Sequence, residues 1–181
     1  WLPQLASGEI IATFALTESA IEPNSNNIQC SFSSSKINGV KMPTPDGSYA
    51  DICIAVIKDK TKDGDGIGMA IVELNNSSVT KKLLSTLDET RNHAELIFNN
   101  TDADLMNNSD DGWNDVQQIL DIAAVLMAFE QIGGAEASLT MAKEYALDRF
   151  AFGRQIGSYQ AIKHKLADMY IKIELAKSNS Y

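Results

Sequence analysis

Apolar and polar positions change their period along this chain, and the change divides it. Residues 10–17 form an apolar run of strand length. Ile28, Cys30 and Phe32 alternate with polar neighbours as one half-buried face, and residues 49–57 alternate and then run apolar as a buried strand does. Residues 69–74 and 95–98 are two further strands, with a charged, glycine-bearing loop at 58–68 between 49–57 and 69–74. Asn38-Gly39 is a hairpin signal, and Pro43 and Pro45 argue against a central strand over 41–47. Residues 75–92 are polar apart from Leu83 and Leu84. From about residue 116 to 147 the apolar spacing is helical. Ile162, Leu166, Met169, Ile173 and Ala176 then mark one face of a second helix. This pattern predicts an α+β chain: an antiparallel β-barrel or sandwich followed by part of an α-helical bundle. Residues 99–114, rich in Asn, Asp, Ser and Gly, read as the linker. Pro3 and Gly8 punctuate a short helical turn at the start.

The long helix needs packing along its whole length, and Gly133-Gly134 in its middle suggests close approach of another backbone. Two helices alone leave apolar faces, so the chain is expected to associate. Between the helices Gly153 and Gly157 make a tight connector, with Ser158 the expected N-cap. Arg149 and Gln160 flank it. Two uses fit Arg149: holding a phosphate beside a fresh helix N-terminus, or complementing the dipole of its own helix while Phe150 and Phe152 fill core.

Composition narrows the partners. A net charge of −9 argues against nucleic acid and anionic membrane, and no run of Lys and Arg offsets it. The apolar runs are shorter than a membrane span, and no signal peptide is visible. Cys30 and Cys53 lack metal-ligand spacing and read as free thiols of a reducing, cytoplasmic compartment.

Tyr145-Ala146, Arg149, Phe152-Gly153, Ile156, Gln160-Ala161, His164 and Leu166-Ala167-Asp168-Met169 together resemble the acyl-CoA dehydrogenase family, in a form shared by its divergent bacterial branches. Leu2-Pro3, Leu5-Ala6 and Gly8-Glu9 resemble its stretch before the β domain, and residues 14–18, Phe-Ala-Leu-Thr-Glu, its flavin-binding strand. The resemblance implies that residues 1–13 end an N-terminal helical domain, 14–108 form the middle β domain and 109–181 begin the C-terminal helical domain. It implies FAD as cofactor, an acyl-CoA substrate, electron-transfer flavoprotein or another acceptor, and a homo- or hetero-oligomer. The residues carried over as cofactor-binding are Phe14, Thr17, Glu18, Thr44, Arg149, Phe152, Ile156 and Gln160, and no metal is implied. Arg149, Phe152 and Gln160 would hold the FAD of a neighbouring subunit.

Departures accompany the likeness. Ala123 and Ala124 stand where one branch has its catalytic Glu and a substrate-binding Arg, so the base is expected beyond residue 181. Pro43 and Pro45 replace a Trp and the Thr that approaches flavin N5, leaving Thr44 as a partial substitute. Glu130 reads as a solvated or salt-bridging carboxylate. Two functions follow: a subunit of an FAD-dependent acyl-CoA dehydrogenase, or a non-catalytic partner that completes another chain's FAD site.

Overall fold

The computed structural model describes residues 1–61, 66–88, 90–106 and 111–181. The chain divides into two compact units, Trp1–Gln117 and Gln118–Tyr181. The first opens with helix α1 (Leu2–Ser7), ended by Gly8 in the left-handed conformation. Its sheet contains β1 (Ala12–Ala15), β2 (Ser31–Ser33), β3 (Lys36–Pro45), β4 (Ile52–Asp59), β5 (Gly66–Glu73), β6 (Val79–Leu84), β7 (His93–Asp102) and β8 (Asp104–Leu105). The strand order is β6-β7-β3-β2-β4-β5-β8, with β1 pairing β4 off this path. The sheet curls into a half-barrel that is largely antiparallel, but β1 and β2 each run parallel to β4.

β4 shows why the middle of the chain is so apolar. Cys53, Ala55 and Ile57 face one core cluster, while Ile54 and Val56 face another. A strand covered on both sides carries apolar residues at successive positions. β5 follows the same period, sending Ala70 and Val72 to the first cluster and Ile67 and Met69 to the second. Val116, in the first turns of α2 (Gly112–Asp148), completes the second cluster with Trp113 beside it. The start of α2 lies tight against β5, since a Cβ on Gly112 would fall 2.1 Å from the Ile67 carbonyl oxygen.

Several local expectations are corrected. Asn38-Gly39 lies inside β3; the β2–β3 turn is Ser34-Ser35, both at positive φ. Gly39 is needed instead at an irregularity in register, where β3 approaches Cys30. β3 continues through Pro43 and Pro45 because its register with β7 shifts between Lys41 and Thr44 and the strand ends at Pro45. An N–H is not required of either proline there. β6 escaped the sequence pattern because it is an edge strand, with Lys81 and Lys82 in place of an apolar face. The stretch read as a linker is structured over its described part: β7 extends to Asp102, β8 follows, and Thr101 is fully buried, donating its hydroxyl to the Ser78 carbonyl at 3.0 Å. The expected boundary at 108/109 and the centre of the 58–68 loop lie outside the described residues. The ends of that loop, 58–59 and 66–68, belong to β4 and β5.

In the second unit α2 meets α3 (Gln160–Ser180), bridged by Lys177 and Glu136 at 2.8 Å. α2 is apolar around most of its circumference, with Ile122, Val125, Leu126 and Met141 exposed. Contrary to the reading of the apolar runs, its length and a mean hydropathy of 1.2 over its most apolar stretch suffice to cross a membrane. A bundle helix covered on more than one side has the same composition. Among the described residues, nothing beyond the helix's own neighbouring backbone lies within 4 Å of a Cβ built on Gly133 or Gly134.

Candidate functional site

The expected site residues fall into two groups, one in each unit. The first group surrounds the end of β1. Phe14 is half-buried and packs on the second core cluster. Past Ala15 the chain leaves the sheet, yet Thr17 is held by its carbonyl, which accepts from the Met42 amide at 2.8 Å. The Thr17 hydroxyl has no partner among the described residues and is half-exposed. Glu18 is differently placed. Its Oε1 accepts from Lys41 Nζ at 2.7 Å and from the Cys30 amide at 3.0 Å, and its Oε2 from the Gln29 amide at 2.7 Å. This carboxylate is occupied within the chain.

Thr44 does not reach the surface. Strand alternation turns Pro43 and Pro45 outward and Thr44 inward, where it is fully buried beside the Lys41 carbonyl. The Pro45 carbonyl is itself engaged, accepting the Thr13 hydroxyl. β3 therefore presents two donor-free rings where the family resemblance placed donors.

The second group is the connector between α2 and α3. It is a miniature hairpin, β9 (Phe150–Ala151) paired with β10 (Arg154–Gln155). Its two-residue turn, Phe152-Gly153, has both φ values positive, at 52° and 80°. Such turns favour Gly or Asn, so a phenylalanine there is unusual. The Ile156 amide donates to the Arg149 carbonyl at 2.8 Å, and Tyr159 Oη donates to the Ala151 carbonyl at 3.0 Å. Arg154 stacks 3.9 Å over the Tyr159 ring. Gly157 passes close to α2, where a Cβ would lie 2.8 Å from the Ala146 oxygen.

Ser158 does not cap α3. It lies in a 3-10 turn (Ile156–Ser158) and donates its hydroxyl to the Gln155 carbonyl at 2.6 Å; Tyr159 takes the N-cap position without a side-chain bond. The first donors onto the Tyr159 carbonyl are the amides of Ile162 and Lys163. The amides of Gln160 and Ala161 accordingly have no acceptor among the described residues, as a helix start leaves them. The Arg149 guanidinium has no ion-pair or hydrogen-bond partner among the described residues. Phe150 and Phe152 do not fill core; Phe152 is 97% exposed. Residues 149–165 contain Arg149, Arg154, Lys163 and Lys165 and no carboxylate. A local positive segment thus exists within a chain of net charge −9.

On α2, Ala123 and Ala124 supply neither acid nor cation, and Glu130 is exposed without an ion pair among the described residues. Burial pushes the thiols of Cys30 and Cys53 up to about 12, so both are protonated and inert at neutral pH. The sequence reading passed over Lys41 as a functional side chain. The signal that would have found it is a lysine on an inward strand position, with Ile37 and Thr44 also turned inside.

Residues 110–181 match the family model for the acyl-CoA dehydrogenase C-terminal domain. An acyl-CoA dehydrogenase of Bacillus subtilis (strain 168) is 34% identical over 195 aligned residues, covering 100% of this chain and 50% of the relative. The chain belongs to the acyl-CoA dehydrogenase family. Among solved structures, butyryl-CoA dehydrogenase of Megasphaera elsdenii superposes with a TM-score of 0.89 at 29% identity, covering 100% of this chain and 50% of that one. A glutaryl-CoA dehydrogenase of Mycobacterium smegmatis, solved in complex with FADH2, shares the fold with a TM-score of 0.87 at 24% identity, covering 99% and 48%. The chain spans about half the length of the relatives it matches.

Proposed function

We propose that the chain is a subunit of an FAD-dependent acyl-CoA dehydrogenase that desaturates an acyl-CoA thioester between its α and β carbons. Its electrons pass to electron-transfer flavoprotein or another acceptor, and it works as an oligomer in the cytoplasm. The observation that carries this reading is the connector. It combines a guanidinium without a partner among the described residues, two amides without an acceptor there at the start of a 21-residue helix, and a stretch, 149–165, with four basic residues and no carboxylate. That donor set suits a diphosphate, because a planar guanidinium binds two oxygens at once and a helix start favours negative charge.

FAD, when bound, accepts the hydride. The chain's own part is to bind and orient. Arg149 and the amides of Gln160 and Ala161 neutralise the diphosphate, and the Gln160 side chain adds a neutral hydrogen bond. Phe152, exposed and held in a left-handed turn, supplies an apolar contact outside the chain. Ile156 shapes the connector through its amide on Arg149. In the other unit the Thr17 hydroxyl is free to donate to the ring, and Phe14 packs under β1, the strand that precedes it. Positions 123 and 124 of α2 are alanines and supply neither the carboxylate base nor a substrate-binding cation.

A second reading has its own observation. Pro43 and Pro45 face outward and Thr44 faces in, so residues 43–45 of β3 give a flavin no side-chain donor. That favours a non-catalytic partner whose connector completes the FAD site of a different chain. The visible spectrum of the purified chain, alone and with candidate partners, distinguishes the two: bound flavin without a partner supports the first reading, and flavin only in the mixed assembly supports the second.

Arg149→Ala tests the connector under both readings. A charge-assisted bond contributes about 1.5–3 kcal/mol, so FAD affinity falls roughly tenfold or more with the fold intact. Gln160→Ala weakens binding less, by about 1 kcal/mol. Unchanged FAD occupancy at limiting cofactor, or parallel loss of folding and binding, refutes the assignment.

A further inference from the structure

Lys41 has no exposed surface and heads the fully buried side chains by volume. Its Nζ donates to the Leu16 carbonyl at 3.0 Å and to Glu18 Oε1 at 2.7 Å. Glu18 in turn takes the amides of Gln29 and Cys30, and the Thr17 carbonyl takes the amide of Met42. Residues 16–18 lie beyond β1, outside the ladder, and yet five hydrogen bonds hold them to β3 and to the approach to β2. A buried ion pair adds little net stability over apolar residues of the same size, but it fixes geometry. Both neighbours of Thr17 are gripped by one ammonium group, while the Thr17 hydroxyl is left unbonded and half-exposed.

We infer that Lys41 and Glu18 are positioning residues whose buried pair holds the Thr17 hydroxyl in place for a flavin. Glu18 thereby serves the cofactor through the backbone of residues 16–18 and not by touching it. The inference rests on the reading that Thr17 contacts FAD. It assigns Lys41 and Glu18 to one device joining the end of β1 to β3.

The test uses the FAD-loaded assembly containing the full chain, with FAD affinity from quenching of flavin fluorescence, the position of the flavin absorption band, and urea unfolding. Three variants are compared: Thr17→Ala, the pair Glu18→Gln with Lys41→Met, and all three together. The pair variant removes both charges, so neither is left buried alone. A single hydrogen bond corresponds to about fivefold in affinity, and that is the loss expected for Thr17→Ala. The pair variant is expected to lose a similar factor and to shift the absorption band. Adding Thr17→Ala to it then changes little, because the hydroxyl is already misplaced. Independent, multiplying losses overturn the inference, as does native affinity in the pair variant. If the pair variant does not fold, Glu18→Asp replaces it; this keeps the charge and shortens its reach, and an unmoved absorption band overturns the inference. Native affinity in Thr17→Ala refutes the Thr17 reading itself and the inference with it. Weakened Thr17→Ala beside a native-like pair variant refutes the inference alone.

Discussion

Gly39→Ala is expected to be among the most damaging single-methyl changes in the β unit. Gly39 has φ +141°, a conformation that L side chains rarely adopt. A Cβ there would lie 2.7 Å from Cys30 Cα and 3.0 Å from Cys30 Cβ and Sγ, where ordinary contact begins at 3.4 Å. The nearest clash is with backbone, so no rotamer relieves it. Cys30 is also poorly placed to retreat: its amide donates to Glu18, its carbonyl accepts from Lys58 at 2.8 Å, and its side chain is in the core. Overpacking of this kind costs about 1–3 kcal/mol. The backbone conformation adds about 1–2 kcal/mol for any residue with a Cβ. The total is about 2–5 kcal/mol, a large fraction of a domain's stability. Equilibrium urea unfolding reads it directly. With a slope near 2 kcal/mol/M the midpoint falls by about 1–2.5 M, without change of slope. Gly8→Ala is the matched control, since Gly8 also has positive φ, at +75°, but nothing within 4 Å. It carries only the conformational cost, about 1–2 kcal/mol. If Gly39→Ala costs no more than Gly8→Ala, the close approach of β3 to Cys30 is wrong.

The buried thiols make the β unit sensitive to alkali. Cys30 and Cys53 are raised from 9.0 to about 12, so above pH 9 the unfolded chain releases protons that the folded chain keeps. Stability is therefore full below pH 9 and declines towards pH 12, by about 1.4 kcal/mol per pH unit for each thiol, in urea midpoints measured across that window. A Cys53→Ala variant should show a shallower decline. Asp51 behaves oppositely: hydrogen bonds from the Ile11 amide and Asn75 lower its carboxyl, so its contribution is present at neutral pH and is lost as pH falls through the folded value. Asp51→Asn should flatten that acid limb. Gly134→Ala adds a methyl into open space on α2 and should stabilise the isolated chain by about 1 kcal/mol by circular dichroism. Loss of assembly in the same variant, measured by light scattering, would show that another chain's backbone packs on Gly134.

The sequence alone determined the features that depend on period and on short motifs. Alternation in 28–32, the doubly apolar β4 and the helical spacing after residue 116 each follow from which faces are covered, and covering leaves a mark on every second or every third and fourth residue. The connector motif was legible in the same way, because Arg149, Phe152 and Gln160 lie close together in the chain. Tertiary structure decided whatever depends on a neighbour distant in sequence. Asn38-Gly39 carries a turn signal, but the space Gly39 fills is set by Cys30 on the adjoining segment. The polar end of β7 is held by pairing with β3 and by Ser78, neither visible in its own composition. Thr44 and Glu18 look equally available to a ligand as letters, yet strand alternation buries one and Lys41 claims the other. Phe152 carries the reverse lesson. Its hydrophobicity suggested core, and the left-handed hairpin turn put it in solvent. A side chain's direction follows from the backbone path, and that path is fixed by pairings between residues that the sequence keeps far apart.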